Sequence, residues 1–210
     1  SYVLVLNPDT RFSMDSLGPL IGFMESNPDA AACGPAVIGR DGGLQRGCRR
    51  REPSAWGMLC RSLALDSLFP ASRVFAGHIY GHIPQDRPLI VDSLSGSFML
   101  IRRAALDMVG LFDERFFMYA EDLDWCRRAR QAGWKLYYIP SVEVLHLRAV
   151  SSRQNPMRRL VYLNYTAAQY IHKHWNGSFA PLARSIMYLA LGLKFALSLP
   201  FTLAETLAVK

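Results

Sequence analysis

Hydrophobic positions change period several times along the chain, and each change marks an element. Ser1 to Leu6 (SYVLVL) is a continuous apolar run of strand type, closed by the turn-forming Asn7-Pro8-Asp9-Thr10. From Met14 to Ser26 the period becomes helical. Leu17, Leu20, Ile21 and Met24 fall on one face, and Asp15 or Ser16 is placed to cap it. Ala30 to Ile38 reads as a short buried strand and Gly39 to Gly43 as a hairpin turn around Asp41-Gly42. Leu44 to Arg51 then reads as the returning strand. Residues 53–90 are interrupted by Pro53, Pro70, Pro84 and Pro88; one helix from Trp56 to Phe69 fits there, in a variable insert or mobile loop.

After Val91 the pattern sharpens. Ser93 to Ile101 is expected as a strand, Arg102 to Val109 as a short helix stopped by Gly110, and Leu111 to Tyr119 as an aromatic loop. Glu121 to Gln131 reads as a helix ended by Ala132-Gly133. Trp134 to Ile139 and Val142 to Leu147 read as two strands separated by Pro140. Alternation of strands and helices predicts an α/β fold with a mixed sheet. Pro156 to His174 is an amphipathic helix with a basic start. Ile186 to Leu203 is almost wholly apolar apart from Lys194 and Pro200. A bilayer span takes about 20 apolar residues. An in-plane interfacial helix fits this segment at least as well as a span, and a helix buried against the domain is the plainer alternative.

Composition narrows the classes. Half of the 210 residues are hydrophobic and a fifth charged, which supports a packed core rather than disorder. The net charge of +7 favours anionic partners: nucleotide phosphates, nucleic acid or an anionic membrane surface. No recognisable nucleic-acid module accompanies Arg49-Arg50-Arg51 or Arg158-Arg159, so nucleic acid is not expected as a partner. Cys33, Cys48, Cys60 and Cys126 show no CxxC spacing, and reduced thiols in a cytosolic setting are expected.

Candidate chemistry lies where elements end. Asp9 follows the first strand, Glu121 and Asp122 open a helix, and His146 closes the last strand. In open α/β sheets ligands bind beyond the carboxyl ends of the strands, so the three segments are expected at one rim. A carboxylate with an imidazole suits an open Mg²⁺ or Mn²⁺ site whose remaining positions take a diphosphate. Asp122 within reach of a hydroxyl would serve as a general base. Each residue also has a plainer role. Asp9 can be a turn former, Glu121 and Asp122 can complement the helix dipole, Asp124 and Arg128 can form a surface i,i+4 pair, and His146 can be structural.

The segments YVLVLNPDT, GSFMLIRRAALDMVGLFDERFFMYAEDLDWCRRARQAGWKLYYIP and VEVLHL, taken in order, resemble the family 2 glycosyltransferases, and most closely their bacterial rhamnosyltransferase-like members. The resemblance covers most of residues 1–150. It implies a GT-A-like, Rossmann-related mixed sheet and inverting, metal-assisted sugar transfer from a nucleotide-diphosphate donor to a saccharide or lipid-linked acceptor. The inner-membrane surface, on its cytoplasmic face, is the expected location. Asp9 then matches the last acid of the metal motif, whose first position is Asn7 here, and His146 the late metal-binding imidazole. Asp122 matches the catalytic base and Glu121 its partner. Gly96, Ser97 and Trp125 fall on the acceptor side. Arg130 and Arg148 are candidates for the diphosphate, with the loop Arg148 to Asn155 as a lid.

The resemblance also places nucleotide-holding strands ahead of the metal motif, on the order of 80 residues at the size of βαβ units. Residues 1–150 are thus expected as the metal and acceptor side of a catalytic domain, inactive alone, and 151–210 as a lid and a membrane-associated helical tail. A non-catalytic membrane module, with the acidic residues purely structural, is the competing reading.

Overall fold

The computed structural model describes residues 1–147, 156–176 and 180–208. The chain forms two compact units. One comprises Ser1–Glu52, Ile83–Asp113 and Glu121–Arg148; the other comprises Pro53–His82, Glu114–Ala120 and Ala149–Lys210. This division differs from the expected cut near residue 150, because the insert after Glu52 and the loop before Glu121 group with the tail.

The first unit is built on a mixed sheet. Its strands are β1 (Tyr2–Leu6), β2 (Thr10–Arg11), β3 (Ala30–Ile38), β4 (Leu89–Ile90), β5 (Phe98–Arg102) and β6 (Lys135–His146). They run in the order β1-β5-β3-β6-β2, with β4 also on β6. The pairs β1–β5, β3–β5, β2–β6 and β4–β6 are antiparallel, and β3–β6 is parallel. The fold class is the α/β mixed sheet expected from the alternation of elements.

Helices α1 (Leu17–Ser26), α4 (Arg103–Val109) and α5 (Glu121–Gln131) belong to this unit. Strand β3 lies between β5 and β6 and is buried along nearly its whole length, which is why its sequence reads as a continuous apolar run rather than an alternating one. Leu20 and Met24 of α1, Trp125 and Cys126 of α5, and Met99, Ile101 and Leu136 of the sheet are all fully buried. All four cysteines are free and buried. Burial raises the Cys33 and Cys126 thiols to about 12.

Several boundaries differ from expectation, each for a local reason. Helix α1 is preceded by a separate turn at Met14–Ser16. Ser13 caps that turn, its hydroxyl accepting from the Asp15 amide, while Ser16 stands at the N-cap position of α1 without a side-chain cap bond. The Gly39–Gly43 turn forms, with Gly42 at φ +72 and the Asp41 carboxylate accepting from the Gly43 amide. No strand follows it. Leu44 makes a single bridge to Ile38, and Arg46–Cys48 coil into one helical turn.

Residues 93–97 are irregular and β5 starts only at Phe98, because the small residues there turn the backbone toward α5. The two strands expected around Pro140 are one. Strand β6 passes through the proline where its register against β3 jumps from Pro35↔Ile139 to Ala36↔Glu143, so residues 140–142 bulge out of the ladder and no donor is missed.

The second unit contains α2 (Ala55–Ser62), α3 (Leu65–Leu68), α6 (Pro156–His174) and α7 (Ala180–Ala208). The insert is therefore ordered rather than an open loop. Its expected single helix is split at Ala64, which takes the left-handed conformation at φ +55. Ile171, Met187 and Leu191 form a small core on which Ala55, Met58 and Trp175 pack, so the insert, α6 and α7 share one apolar centre. Helix α7 continues through Pro200, past the apolar stretch on both sides.

Candidate functional site

The sheet topology brings four chain segments to one rim. β3 and β6 are parallel and end together, with Ile38 opposite Leu145. β1 ends where β5 begins, with Leu6 opposite Phe98. The rim therefore carries Asn7–Asp9 after β1, Gln45 after β3, Gly96–Ser97 before β5 and His146 at the end of β6.

At this rim Asp9 Oδ1 lies 3.1 Å from His146 Nε2. The backbone enforces the pairing: Thr10 sits opposite His146 in the β2–β6 ladder, and the Leu147 amide donates to the Asp9 carbonyl at 3.0 Å. The Asn7 amide donates to the Ser97 carbonyl at 3.1 Å, and Thr10 Oγ1 donates to the same carbonyl at 3.0 Å. Asn7 Nδ2 lies 3.4 Å from His146 Nε2.

Gln45 fixes the imidazole. Its Nε2 donates to the His146 carbonyl at 2.8 Å, which turns its Oε1 toward His146 Nδ1 at 2.9 Å. An amide oxygen there requires the hydrogen on Nδ1, so the Nε2 lone pair faces the Asp9 carboxylate. Two acceptors 3.1 Å apart repel unless a proton or a cation lies between them. Sequence reading missed Gln45, and a glutamine in a turn carries no signal that would have found it.

The donor set fits a divalent cation. Cis ligands of an octahedral ion at about 2.0–2.1 Å stand roughly 3 Å apart, which is the spacing of the Asp9–His146 edge. A buried partner on the far nitrogen is the usual support of a ligating histidine. No cluster of three His, Cys, Asp or Glu occurs among the described residues. Asp9 and His146 would thus hold such an ion at an open site, of the kind completed by substrate phosphates.

A second cluster lies across Gly96 and Ser97. Asp122 Oδ2 accepts from Arg50 Nη2 at 2.7 Å and from the Gly96 amide at 3.0 Å, and its Oδ1 accepts from the Leu123 amide at 2.7 Å. Arg50 also donates to the Leu94 carbonyl at 2.6 Å. The bridge between the clusters is two residues long: Ser97 binds Asn7, and Gly96 binds Asp122. A Cβ added to Gly96 would meet Asp122 Cβ at 3.5 Å and Glu121 Oε1 at 3.9 Å.

Glu121 Oε2 is buried and has no hydrogen-bond partner among the described residues. Burial first, and then the charge of Asp122, push the Glu121 carboxyl up to about 7. The two residues leading into α5, Tyr119 and Ala120, are both left-handed, at φ +66 and +65. Such conformations cost about 1–2 kcal/mol each.

Other candidates have different positions. Trp125 is fully buried, donates to the Gly110 carbonyl at 3.0 Å and lies edge-on to Phe112, so it is core and does not face an acceptor. Arg130 is bound to Glu52 and donates to the Asp92 carbonyl at 2.9 Å; Arg127 binds Glu52 as well. The Arg130 guanidinium ties α5 to the loops that carry Glu52 and Asp92. Arg148 and the lid segment fall outside the described residues.

Asp124 is fully buried, so its pairing with Arg128 at 2.8 Å is internal and not a surface pair. The basic run is not a patch either. Arg49 is buried, donating to the carbonyls of Ile83 and Pro84 and stacking over Tyr138, while Arg50 holds Asp122.

Residues 83–161, which include the Gly96 loop, Asp122 and His146, match the family described as glycosyltransferase like family 2. This stretch of the chain belongs to that glycosyltransferase family, and the relatives that extend the match are rhamnosyltransferases. The chain is 36% identical over 160 residues to N-acetylglucosaminyl-diphospho-decaprenol L-rhamnosyltransferase of Mycobacterium tuberculosis, covering 76% of this chain and 51% of that protein. It is 32% identical over 148 residues to rhamnosyltransferase WbbL of Escherichia coli K12, covering 69% and 52%.

The chain spans about half the length of the curated relatives it matches. Among solved structures, GalNAc-T7 with UDP, GalNAc and Mn²⁺ aligns at a TM-score of 0.47 and 15% identity, over 94% of this chain and 40% of that one.

Proposed function

We propose that the chain forms the metal and acceptor side of an inverting glycosyltransferase, moving a sugar, rhamnose by its relatives, from a nucleotide-diphosphate donor to a lipid-linked or saccharide acceptor. The observation that carries this reading is the two-residue bridge joining the Asp9–His146 edge to Asp122. It supports the reading because one short stretch of backbone ties the pair proposed to face the diphosphate to the carboxylate proposed as base.

Asp122 acts as the general base. It takes the proton of the acceptor hydroxyl as that oxygen attacks the anomeric carbon and the bond to the diphosphate breaks. Arg50 and the Gly96 amide hold the carboxylate in place, which leaves little reorganisation for the reaction itself. Glu121, whose carboxyl burial and the Asp122 charge push up to about 7, lowers the negative charge beside Asp122 whenever it holds its proton. Asp9 and His146 would hold Mg²⁺ or Mn²⁺, which when bound neutralises charge on the departing diphosphate. Gly96 leaves room for the acceptor because any side chain there would stand over both carboxylates.

Membrane association is part of this reading. Ala180–Leu203 is long and apolar enough to cross a bilayer, and the Mycobacterium tuberculosis relative is named for a decaprenol-linked acceptor. We place the protein on the cytoplasmic face of the inner membrane, where nucleotide sugars are made.

The test is a transfer assay with a panel of nucleotide-diphosphate sugars and a polyprenyl-linked acceptor. It is run on the 210-residue chain and on the full product of its gene. Metal-dependent transfer by the full product, lost in Asp9→Asn and in His146→Ala, supports the reading. Transfer undiminished by both changes rules it out.

A further inference from the structure

Charge is divided unevenly between the two units. Ten of the 24 Lys and Arg but only three of the 17 Asp and Glu fall within Pro53–His82, Glu114–Ala120 and Ala149–Lys210. The sheet unit holds 14 of each sign and is neutral. The whole net charge of +7 therefore belongs to the unit that carries the insert and α7.

The same unit exposes its apolar side chains. On α7, Leu182, Ile186, Leu189, Leu193, Leu197 and Phe201 recur at spacings of three and four and are all exposed, while Met187, Ala190 and Leu191 are buried. On the insert, Trp56, Leu68, Phe69 and Val74 are each about half or more exposed. This second patch is built, not frayed. Trp56 Nε1 donates to the Val74 carbonyl at 2.9 Å, and Phe75 stacks between Trp56 and Phe69 at centroid distances of 6.3 and 5.2 Å. The indole's polar end is satisfied inside the insert and its apolar face is left outside, the division that suits aromatic rings to a membrane–water interface.

Arg61 and Arg73 are exposed on the same segment. Its single acid, Asp66, is buried 3.3 Å from His78 and presents no charge to a partner. Ala55 and Met58, on α2 beside Trp56, pack into the Ile171–Met187–Leu191 core, so the patch rides on the body that contains α7.

We propose that the Trp56–Leu68–Phe69–Val74 surface docks on an anionic phospholipid bilayer, with Arg61 and Arg73 on the headgroups, as a second membrane contact beside α7. One apolar element on a surface gives weak, reversible binding, and an added basic aromatic contact makes it stable. The proposal rests on the membrane reading given above, and its test separates the two.

The whole chain is mixed with vesicles of phosphatidylethanolamine and phosphatidylglycerol, and with vesicles of phosphatidylcholine alone. Each set is prepared with and without lipids brominated near the glycerol. Sedimentation reads binding, and tryptophan quenching in wild type against Trp56→Phe reads Trp56 alone. The expected result is binding that favours the anionic vesicles and falls with salt, and quenching that is largely lost in Trp56→Phe. The pair Leu68→Ser and Phe69→Ser should lower the partition coefficient about tenfold with the thermal transition unchanged.

Binding with the same quenching in wild type and Trp56→Phe would overturn the insert contact while leaving α7 as an anchor. Equal binding to neutral vesicles would overturn the charged part. No binding at all would remove the membrane reading with it. Self-association of the chain through Trp56, lost in Trp56→Phe, would assign the patch to a second copy instead.

Discussion

Gln45 grips His146 at both ends, accepting from Nδ1 at 2.9 Å and donating to the residue's own carbonyl at 2.8 Å. One side chain thereby sets the ring's angle and its tautomer, and leaves the Nε2 lone pair facing Asp9, with Asn7 Nδ2 at 3.4 Å.

Gln45→Leu keeps the size of the side chain and removes both bonds. It should lower Mn²⁺ affinity, measured by electron paramagnetic resonance with a nucleoside diphosphate present, by about 10- to 100-fold without loss of folding. Unchanged affinity would mean that His146 is not a ligand.

Glu121 links pH to stability. Its folded carboxyl titrates near 7, against 4.5 in its ordinary state. Between those values the folded chain holds a proton that the unfolded chain has lost, so stability falls as pH rises through this window. The loss reaches about 3 kcal/mol at most. Urea titrations at pH 5 and pH 8 should show this decline in wild type, and Glu121→Gln should flatten it. An equal slope in both would refute the assignment.

Arg50 and Asp122 are largely buried together, and removing the cation strands a carboxylate. Arg50→Ala should cost about 2–4 kcal/mol by chemical denaturation. Arg40→Ala, on the exposed turn, should stay within about 0.5 kcal/mol.

Trp125 separates packing from acceptor binding. Trp125→Phe removes the bond to Gly110 and part of a filled core, and should cost about 1–3 kcal/mol. The acceptor KM of the folded fraction should stay at the wild-type value; a raised KM would return Trp125 to the site.

Residue pattern revealed most of the framework, because β1, β3, α4, α5 and α6 each have one period and clear stops. Gly110, at φ +84, ends α4 where expected. It failed where tertiary pairing outweighs local preference. Pro140 reads as a breaker, yet a bulge absorbs it, and Leu44 to Arg51 reads as a strand, yet it pairs through isolated bridges, Leu44 to Ile38 and Arg50 to Ser93.

Asp9, Asp122 and His146 stood out because each marks the end of an element. Gln45 and Arg50 did not, since their importance lies in partners roughly 70 to 100 residues away. Trp125 and Arg130 share a helix with the base, but proximity in sequence says nothing about which face of that helix meets the core.

The central claim is that one short rim couples a metal edge to a base at Asp122. Its most direct measurement is the single-turnover rate of sugar transfer by Asp122→Asn in the full gene product, at saturating donor and Mn²⁺. Asparagine keeps the shape and an acceptor oxygen for Arg50 and Gly96 but cannot take the proton. A fall of about 10²- to 10⁴-fold with Mn²⁺ and nucleotide binding intact is the predicted result. A rate within a few fold of wild type would contradict it.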